Sequence, residues 1–164
     1  MPIRIASPRP PRAHARGFTM VELLTVMSIL VIILGVMAPS FGEFMAAQQA
    51  KALSYDLTGD LMLARNEALK RNASVTVSPP LGVGWEQGWS VVSVSGGVPE
   101  FLSTRNPAAQ SVTVTGPATI TFDSNGRVPS ATRPLGFTIS SQSSHRCVQL
   151  DPSGRARAVY GACT

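Results

Sequence analysis

Glu22 is the first residue whose chemistry needs an explanation, because it lies at the start of a long uncharged segment. The chain reads RGFTMVELL over residues 16–24, and residues 23–42 contain no Asp, Glu, Lys, Arg or His. A helix of these 20 residues would be about 30 Å long, the thickness of a bilayer's hydrocarbon core. A carboxylate costs about 3 kcal/mol to insert there, so Glu22 is either an acid at the membrane interface or a functional residue.

The residues before Glu22 are basic and are predicted to stay on the cytoplasmic side of a membrane. Residues 1–17 contain four arginines and no acid. The one candidate cleavage site, Gly17-Phe18, precedes the apolar segment instead of following it. Cleavage there would remove the charges and keep the hydrophobic helix.

This arrangement resembles the N-terminus of type IV pilins and pseudopilins, in which Gly is followed by Phe and by a glutamate at the fifth mature position. Gly17, Phe18 and Glu22 match these positions. The resemblance implies cleavage after Gly17 and N-methylation of Phe18 by a prepilin peptidase. It also implies a role in filament assembly, in which Glu22 neutralises the Phe18 amino terminus of a neighbouring subunit in an apolar environment.

The charge of the chain is unevenly distributed. The net charge is +5, but from Phe18 onward the chain has ten basic and nine acidic side chains. Residues 101–164 carry six arginines and two aspartates, so this part is basic. Cys147 and Cys163 are predicted to form a disulfide in an oxidising periplasm, with two free buried thiols as the alternative. A metal site is not expected, because His145 is the single histidine after the leader.

One helix is predicted from about residue 18 to residue 71. Residues 18–42 are predicted to be a transmembrane N-terminal helix, and residues 43–72 its amphipathic continuation. An apolar stripe recurs in the continuation at steps of three and four residues. It consists of Ala46, Ala50, Leu53, Leu57, Leu61, Ala64 and Ala68. Glu67 and Arg71 are spaced for an ion pair, and Asn72 can cap the helix.

Residues 73–164 are predicted to form a periplasmic antiparallel β domain that ends in a disulfide-pinned hairpin. Short runs rich in Val, Thr, Ile and Phe are separated by turn residues. They are SVTVS, WSVVSVS, SVTVT, TITFD, GFTIS, CVQL and RARAV. No crossover helix lies between them, and the inner face of the sheet should cover the stripe on the helix. The predicted fold class is therefore α+β, with a long N-terminal helix packed against a C-terminal antiparallel sheet.

The resemblance extends beyond the N-terminus to the FimT/GspH group of minor pilins and pseudopilins. It is carried by LMLARNEALKRNASVTV, WEQGWSV, ITFDSNGR and SGRAR, whereas residues 96–117 match nothing specific. Trp85 and Trp89 belong to this pattern and are expected to anchor the sheet on the helix. The resemblance implies a type IV pilin-like fold.

No combination of residues predicts catalysis. Nothing locates His145 beside a nucleophile, and the sequence has no phosphate loop or dinucleotide fingerprint. Asp56 and Asp60 share a helix face, where we expect two solvated surface acids. We therefore predict a protein that is not an enzyme and that requires no cofactor.

The end of the chain, HRCVQLDPSGRARAVYGAC, is the most informative candidate for a binding site. Its Asp-Pro-Ser-Gly sequence predicts a type I turn with Gly154 in the left-handed position, which pairs Asp151 with Arg155. In that register Gln149, Arg155 and Arg157 project from one side of the hairpin. The core face would hold Val148, Leu150, Ala156 and Ala158. The two arginines are either an anion-binding fork or solvated residues that protect a sheet edge.

The family resemblance favours the anion-binding interpretation. FimT-like minor pilins implicated in natural transformation carry a C-terminal Gly-Arg-x-Arg element associated with DNA binding. Residues 154–157 match this element position for position. The arginines that would widen the patch are Arg127, Arg133 and Arg146.

Three interpretations remain, and they need not exclude one another. In the first, the chain is a minor pilin or pseudopilin that lies at or near a filament tip and helps to initiate assembly. In the second, it is a minor pilin that binds double-stranded DNA, weakly and without sequence preference, during uptake for natural transformation. In the third, it is an H-type pseudopilin of a type II protein secretion system with no role in DNA binding. Each would be a single-pass inner membrane protein with a periplasmic C-terminal domain, and its partners would be other pilins and a prepilin peptidase.

Overall fold

A computed structural model describes residues 17–95, 97–129 and 135–163, without the side chains of residues 36–40 and of Ser95. The chain divides into two units, Met1–Ala38 and Pro39–Thr164. The described part of the first unit contains the start of helix α1. The second unit contains the remainder of α1 and the strands.

Helix α1 spans Met20–Arg71, close to the range that the sequence predicts. Thr19 caps its start, because its Oγ1 accepts a hydrogen bond from the backbone N–H of Glu22 at 3.2 Å. At the other end Asn72 adopts a left-handed φ of +50°, a conformation that commonly terminates helices. The predicted cap at Asn72 is therefore confirmed.

No helix in the described part of the chain is long and apolar enough to cross a membrane. The membrane-spanning segment over residues 18–42 stays a prediction from the sequence. Large apolar side chains between Phe18 and Leu34 are exposed in the single chain.

The amphipathic part of α1 packs the predicted stripe into the core. Ala50, Leu57, Leu61, Ala64 and Ala68 are fully buried and belong to one hydrophobic cluster with side chains of the β domain. Because they recur every three or four residues, they lie on one face of the helix. The predicted stripe is confirmed.

Eight strands follow α1 in the described chain, and all of their pairings are antiparallel. They are β1 Val75–Ser78, β2 Ser90–Ser95, β3 Val98–Thr104, β4 Thr113–Thr115, β5 Ile120–Phe122, β6 Leu135–Ser140, β7 His145–Leu150 and β8 Ala156–Tyr160. Two four-stranded sheets result, with the orders β3-β2-β1-β5 and β4-β6-β7-β8. The predicted class, a helix packed against an antiparallel β domain, is confirmed.

The described chain has two sheets and eight strands, whereas the sequence predicts one sheet and seven strands. The strand that was not predicted is β3. Strand β3 contains Pro99, which is unfavourable inside a sheet but tolerated here because β3 is an edge strand. Strands β4, β6, β7 and β8 pair with one another and form the second sheet. The alternation of side chains along a strand identifies its faces but not its neighbours.

Trp85 and Trp89 connect the helix with both sheets. The Trp85 ring lies edge-on to Phe137 in β6, with centroids 4.9 Å apart, and its Nε1 donates to the carbonyl of Pro117 at 2.7 Å. Nε1 of Trp89 donates to Asp60 of α1 at 2.9 Å. Both rings are almost completely buried. Their predicted anchoring role is confirmed.

Asp60 is buried, and our expectation of a solvated acid is wrong. Its carboxylate accepts hydrogen bonds from Trp89 Nε1, from Ser103 Oγ at 3.2 Å and from Arg105 Nε at 2.7 Å. Asp56 is only partly exposed and lies 3.7 Å from Nη1 of the same arginine. A buried carboxylate is stable here because three donors surround it. Helix periodicity cannot identify donors that lie in distant segments of the chain.

Candidate functional site

The C-terminal hairpin has the predicted turn and register. The N–H of Asp151 donates to the carbonyl of Arg155 at 3.0 Å, and the N–H of Gly154 donates to the carbonyl of Asp151 at 2.8 Å. Gly154 has a φ of +79°, the left-handed conformation that favours glycine. Beyond the turn Gln149 pairs with Arg157 across the two strands. The predicted turn and register are confirmed.

The two faces of the hairpin differ as expected. The core face consists of buried Val148 and Leu150 with partly buried Ala156 and Ala158. Arg155 and Arg157 are exposed. Nε and Nη2 of Arg157 donate to Oε1 of Gln149 at 3.0 and 2.7 Å. Because glutamine is neutral, this contact fixes the guanidinium without cancelling its charge.

A disulfide joins Cys147 and Cys163, whose Cα atoms are 5.0 Å apart, as the sequence predicts. It ties the C-terminal tail to the hairpin face that also carries Gln149. Gly136 in β6 pairs with Gln149 and makes room for the tail, since a Cβ there would lie 2.8 Å from Sγ of Cys163. The role of Gly136 was not found from the sequence, because it depends on the pairing of β6 with β7.

A second turn packs against the hairpin turn. The N–H of Val128 donates to the carbonyl of Pro152 at 3.1 Å. A Cβ at Gly154 would collide with the carbonyl oxygen of Gly126. Arg127, which the sequence proposes as an extension of the patch, follows Gly126 and is exposed. The structure therefore brings the backbone segments of Arg127 and Arg155 together.

Arg65 of α1 also reaches this junction, and sequence reasoning missed it. Its Nε donates to the carbonyl of Gly126 at 3.2 Å. Its side chain is so close to the hairpin turn that a Cβ on Gly154 would lie 3.1 Å from Nε. Arg65 follows the buried Ala64 on the helix, but only the folded chain shows which loop lies above it.

Two arginines elsewhere in the described domain, Arg71 and Arg105, are paired with acids. Arg71 forms ion pairs with Glu67 and Glu100. The hydrogen bond to Glu100 is the largest cause of the raised pKa of Arg71. The hydrogen bond to Asp60 likewise raises the pKa of Arg105. By contrast, within the ranges that the structure covers, no carboxylate lies within 4.0 Å of Arg65, Arg127, Arg155 or Arg157. Their positive charge is therefore available to an anion.

Arg146 does not extend this surface in the structure. Arg146 alternates with Cys147 along β7 and lies on the face opposite Gln149, where its Cζ is 4.9 Å from the centre of the Tyr160 ring. Its expected membership of the patch is corrected, because neighbouring residues of a strand point to opposite faces. Arg133 lies outside the described residues.

The N-terminal candidate residues are exposed at the start of α1. Gly17 and Phe18 precede the helix, and Glu22 lies in its first turn. With Thr19 as the cap, Glu22 occupies the position at which a capping box places an acid. The carboxylate is also favoured there by the helix dipole. The sequence thus contains a local structural reason for Glu22 besides a contact between subunits.

No group of three or more His, Cys, Asp or Glu residues is placed to hold a metal ion among the residues covered by the structure. A groove of about 640 Å³ lies between residues 78–86 and residues 113–119. None of the candidate site residues lines it.

The fold and the N-terminal motif define a protein of the type IV pilin class. A helix with a buried stripe packs against an antiparallel β domain, and residues 12–38 match the prokaryotic N-terminal methylation motif. Residues 54–154, more than half of the chain, match the family described as Type II transport protein GspH. The chain belongs to this family. Arg155 and Arg157 follow immediately after the matched region.

Two solved structures have the same fold, and both are crystal forms of the type IV minor pilin FimU of Pseudomonas aeruginosa PAO1. One has a TM-score of 0.57 at 21% identity, covering 74% of this chain and 92% of FimU. The other has a TM-score of 0.56 at 19% identity, covering 70% and 97%. No curated protein sequence matches the chain significantly.

Family membership establishes the general role of the chain. It is a minor pilin or pseudopilin with an N-terminal methylation motif, and such proteins are structural subunits and not enzymes. Membership implies assembly with other pilins and processing by a prepilin peptidase. The motif is that of a protein incorporated into a pilus and facing the periplasm.

Proposed function

We propose that this chain is a minor pilin that captures double-stranded DNA through its C-terminal hairpin during uptake for natural transformation. The observation that carries the proposal is the pair of exposed arginines, Arg155 and Arg157, on a hairpin held by a disulfide. Among the described residues, neither has a carboxylate within ion-pair distance. A rigid, uncompensated pair of guanidinium groups suits the phosphate backbone.

The affinity for DNA should be low and independent of sequence. Contacts to phosphates position a protein on a duplex but do not read its bases. For so small a patch, nonspecific affinities of roughly 1–100 µM are expected. Each phosphate that is neutralised contributes about −0.9 to the slope of log affinity against log salt concentration.

The test is a titration of the full-length chain in detergent with a short DNA duplex at several salt concentrations. Arg155→Ala with Arg157→Ala should flatten the salt slope by up to about 2. Lysine at both positions should retain part of the affinity, because it keeps the charge but not the bidentate geometry. Arg146→Ala is the matched control, since it removes one charge from the opposite face of the same hairpin. If the double alanine variant binds as well as the parent, the DNA-binding proposal is wrong.

We also propose that the chain is cleaved after Gly17 and anchored in the inner membrane through residues 18–42 before it enters a filament. The position of Gly17-Phe18 before the apolar segment supports this order of events. The expected product begins with N-methylated Phe18. Intact-mass measurement of chain extracted from membranes that contain an active prepilin peptidase tests it. A product that retains residues 1–17 would contradict the proposal.

The match to the family described as Type II transport protein GspH favours a second candidate function. In that case the chain is an H-type pseudopilin of a type II protein secretion system and has no role in DNA binding. Deleting its gene should then abolish protein secretion and leave transformation unchanged. Under the first proposal, deletion should impair transformation instead.

A further inference from the structure

We infer that Arg65, Arg127 and Arg155 form one binding site for the phosphodiester backbone of DNA, built where two matching turns pack against each other. This inference rests on the proposed DNA-binding function and extends its site beyond the C-terminal hairpin. Arg65 contributes from helix α1, and the other two arginines contribute from one turn each.

The two turns have the same sequence pattern and the same hydrogen bonds. Residues 123–127 read Asp-Ser-Asn-Gly-Arg, and residues 151–155 read Asp-Pro-Ser-Gly-Arg. In each turn the backbone N–H of the aspartate donates to the carbonyl of the arginine, at 2.8 Å in the first turn and 3.0 Å in the second. The backbone N–H of the glycine donates to the carbonyl of the aspartate, at 2.9 and 2.8 Å. Gly126 and Gly154 have φ values of +67° and +79°. An arginine therefore leaves each turn at the same position.

Neither glycine of the two turns has space for a side chain. A Cβ on Gly154 would meet the carbonyl oxygen of Gly126, and a Cβ on Gly126 would lie 3.1 Å from Cγ of Arg65. The Cα atoms of Arg127 and Arg155 are each one peptide unit, about 3.8 Å, from a glycine of this contact. Both side chains are exposed. The packing of the glycines thus places two arginines at one surface junction.

Arg65 lies against both turns with its orientation fixed. Its Nε donates to the carbonyl of Gly126, and its Cδ would be 3.2 Å from a Cβ on Gly154. In the described structure its terminal nitrogens have no carboxylate within 4.0 Å. A guanidinium that is held through Nε can present its remaining N–H groups to one phosphate without losing much side-chain entropy.

The nearby acids cancel only part of this charge. Oδ1 of Asp123 accepts hydrogen bonds from the backbone N–H groups of Asn125 and Arg127, at 2.9 and 2.8 Å, so its carboxylate is engaged by its own turn. Asp151 occupies the equivalent position in the other turn. Three arginines against two aspartates leave the junction positively charged, and Arg157 adds a further charge from β8.

Salt-dependent titration of the full-length chain in detergent with a short duplex tests the inference. Arg65→Gln and Arg127→Gln should each flatten the salt slope by about 0.9, and Arg65→Lys should leave it near the parent value. Arg71→Gln is the matched control on the same helix. Because Arg71 is already paired with Glu67 and Glu100, its loss should not change the slope. Unfolding midpoints of all variants separate a loss of contact from a loss of fold.

The outcomes distinguish this inference from the proposed function. If the parent does not bind DNA, both are wrong. If Arg155→Ala with Arg157→Ala flattens the slope but Arg65→Gln and Arg127→Gln do not, the hairpin binds alone and the three-arginine site is wrong. Vesicles containing phosphatidylglycerol supply the same phosphodiester chemistry from a lipid. Binding to these vesicles in preference to the duplex would overturn the assignment to DNA.

Discussion

The carboxylate of Asp60 lies 2.7 Å from Nε of Arg105, and this contact joins helix α1 to the segment after β3. The same carboxylate accepts the indole N–H of the buried Trp89. Asp60 thus adds polar contacts to the apolar packing of the helix against the β domain. The hydrogen bond also raises the pKa of Arg105.

Asp60→Ala is expected to lower the free energy of unfolding by about 3 kcal/mol, because the Trp89 N–H would remain buried without an acceptor and Arg105 would lose its partner. Urea unfolding of the full-length chain in detergent, followed by tryptophan fluorescence, measures the loss. Asp56→Ala is the control, since its more exposed contact with Arg105 should contribute about 0–1 kcal/mol. Equal losses in the two variants would contradict the role assigned to Asp60.

Glu67 gives the domain a predictable response to acid. The hydrogen bond from Arg71 is the main cause that lowers the pKa of Glu67 below its ordinary value of 4.5. Its contribution to stability is therefore complete above that value and is lost as the pH falls through the lower pKa of the folded state. The difference in unfolding midpoint between the parent and Glu67→Gln should be constant near neutral pH and should shrink in acid. A difference that grows in acid would contradict this linkage.

Local features of the site followed from the sequence, whereas contacts between distant segments did not. The turn at Gly154 was predictable because the partners Asp151 and Arg155 lie within five residues and the glycine conformation is a property of the turn itself. The contact of Arg65 with Gly126 spans 61 residues, and that of Asp60 with Arg105 spans 45. Such partners are chosen by the packing of the strands. The repeated Asp-x-x-Gly-Arg pattern is visible in the sequence, but only the fold shows that its two copies meet.

Glu22→Ala is expected to leave membrane insertion intact and to reduce incorporation into filaments. Removing an acid makes insertion easier, while a neighbouring Phe18 amine would lose its partner. Glu22→Gln separates this role from helix capping, because glutamine can still complete a capping box with Thr19 but carries no charge. We expect the glutamine variant to be as deficient as the alanine variant in sheared filaments. Normal amounts of it would mean that Glu22 acts through the helix cap alone.

Gly136→Ala is expected to destabilise the domain only while the disulfide is present. A Cβ at this position would lie 2.8 Å from Sγ and 2.9 Å from Cβ of Cys163, and the bond to Cys147 prevents the tail from moving away. The cost of such overpacking is about 1–3 kcal/mol. When Cys147 and Cys163 are both alanine, the tail is free, and Gly136→Ala should be neutral or stabilise by about 0.5–1 kcal/mol because alanine loses less backbone entropy than glycine.

Urea unfolding of four proteins gives the coupling energy between Gly136 and the disulfide. The four are the parent, Gly136→Ala, the double cysteine variant and the triple variant. Removing the disulfide alone should cost about 3 kcal/mol, the value expected for a closed loop of this length. A reducing agent provides an independent check, since it should relieve the defect of Gly136→Ala without a further substitution. If the alanine costs the same in both cysteine backgrounds, the glycine is required by the β6–β7 pairing itself and not by the disulfide above it.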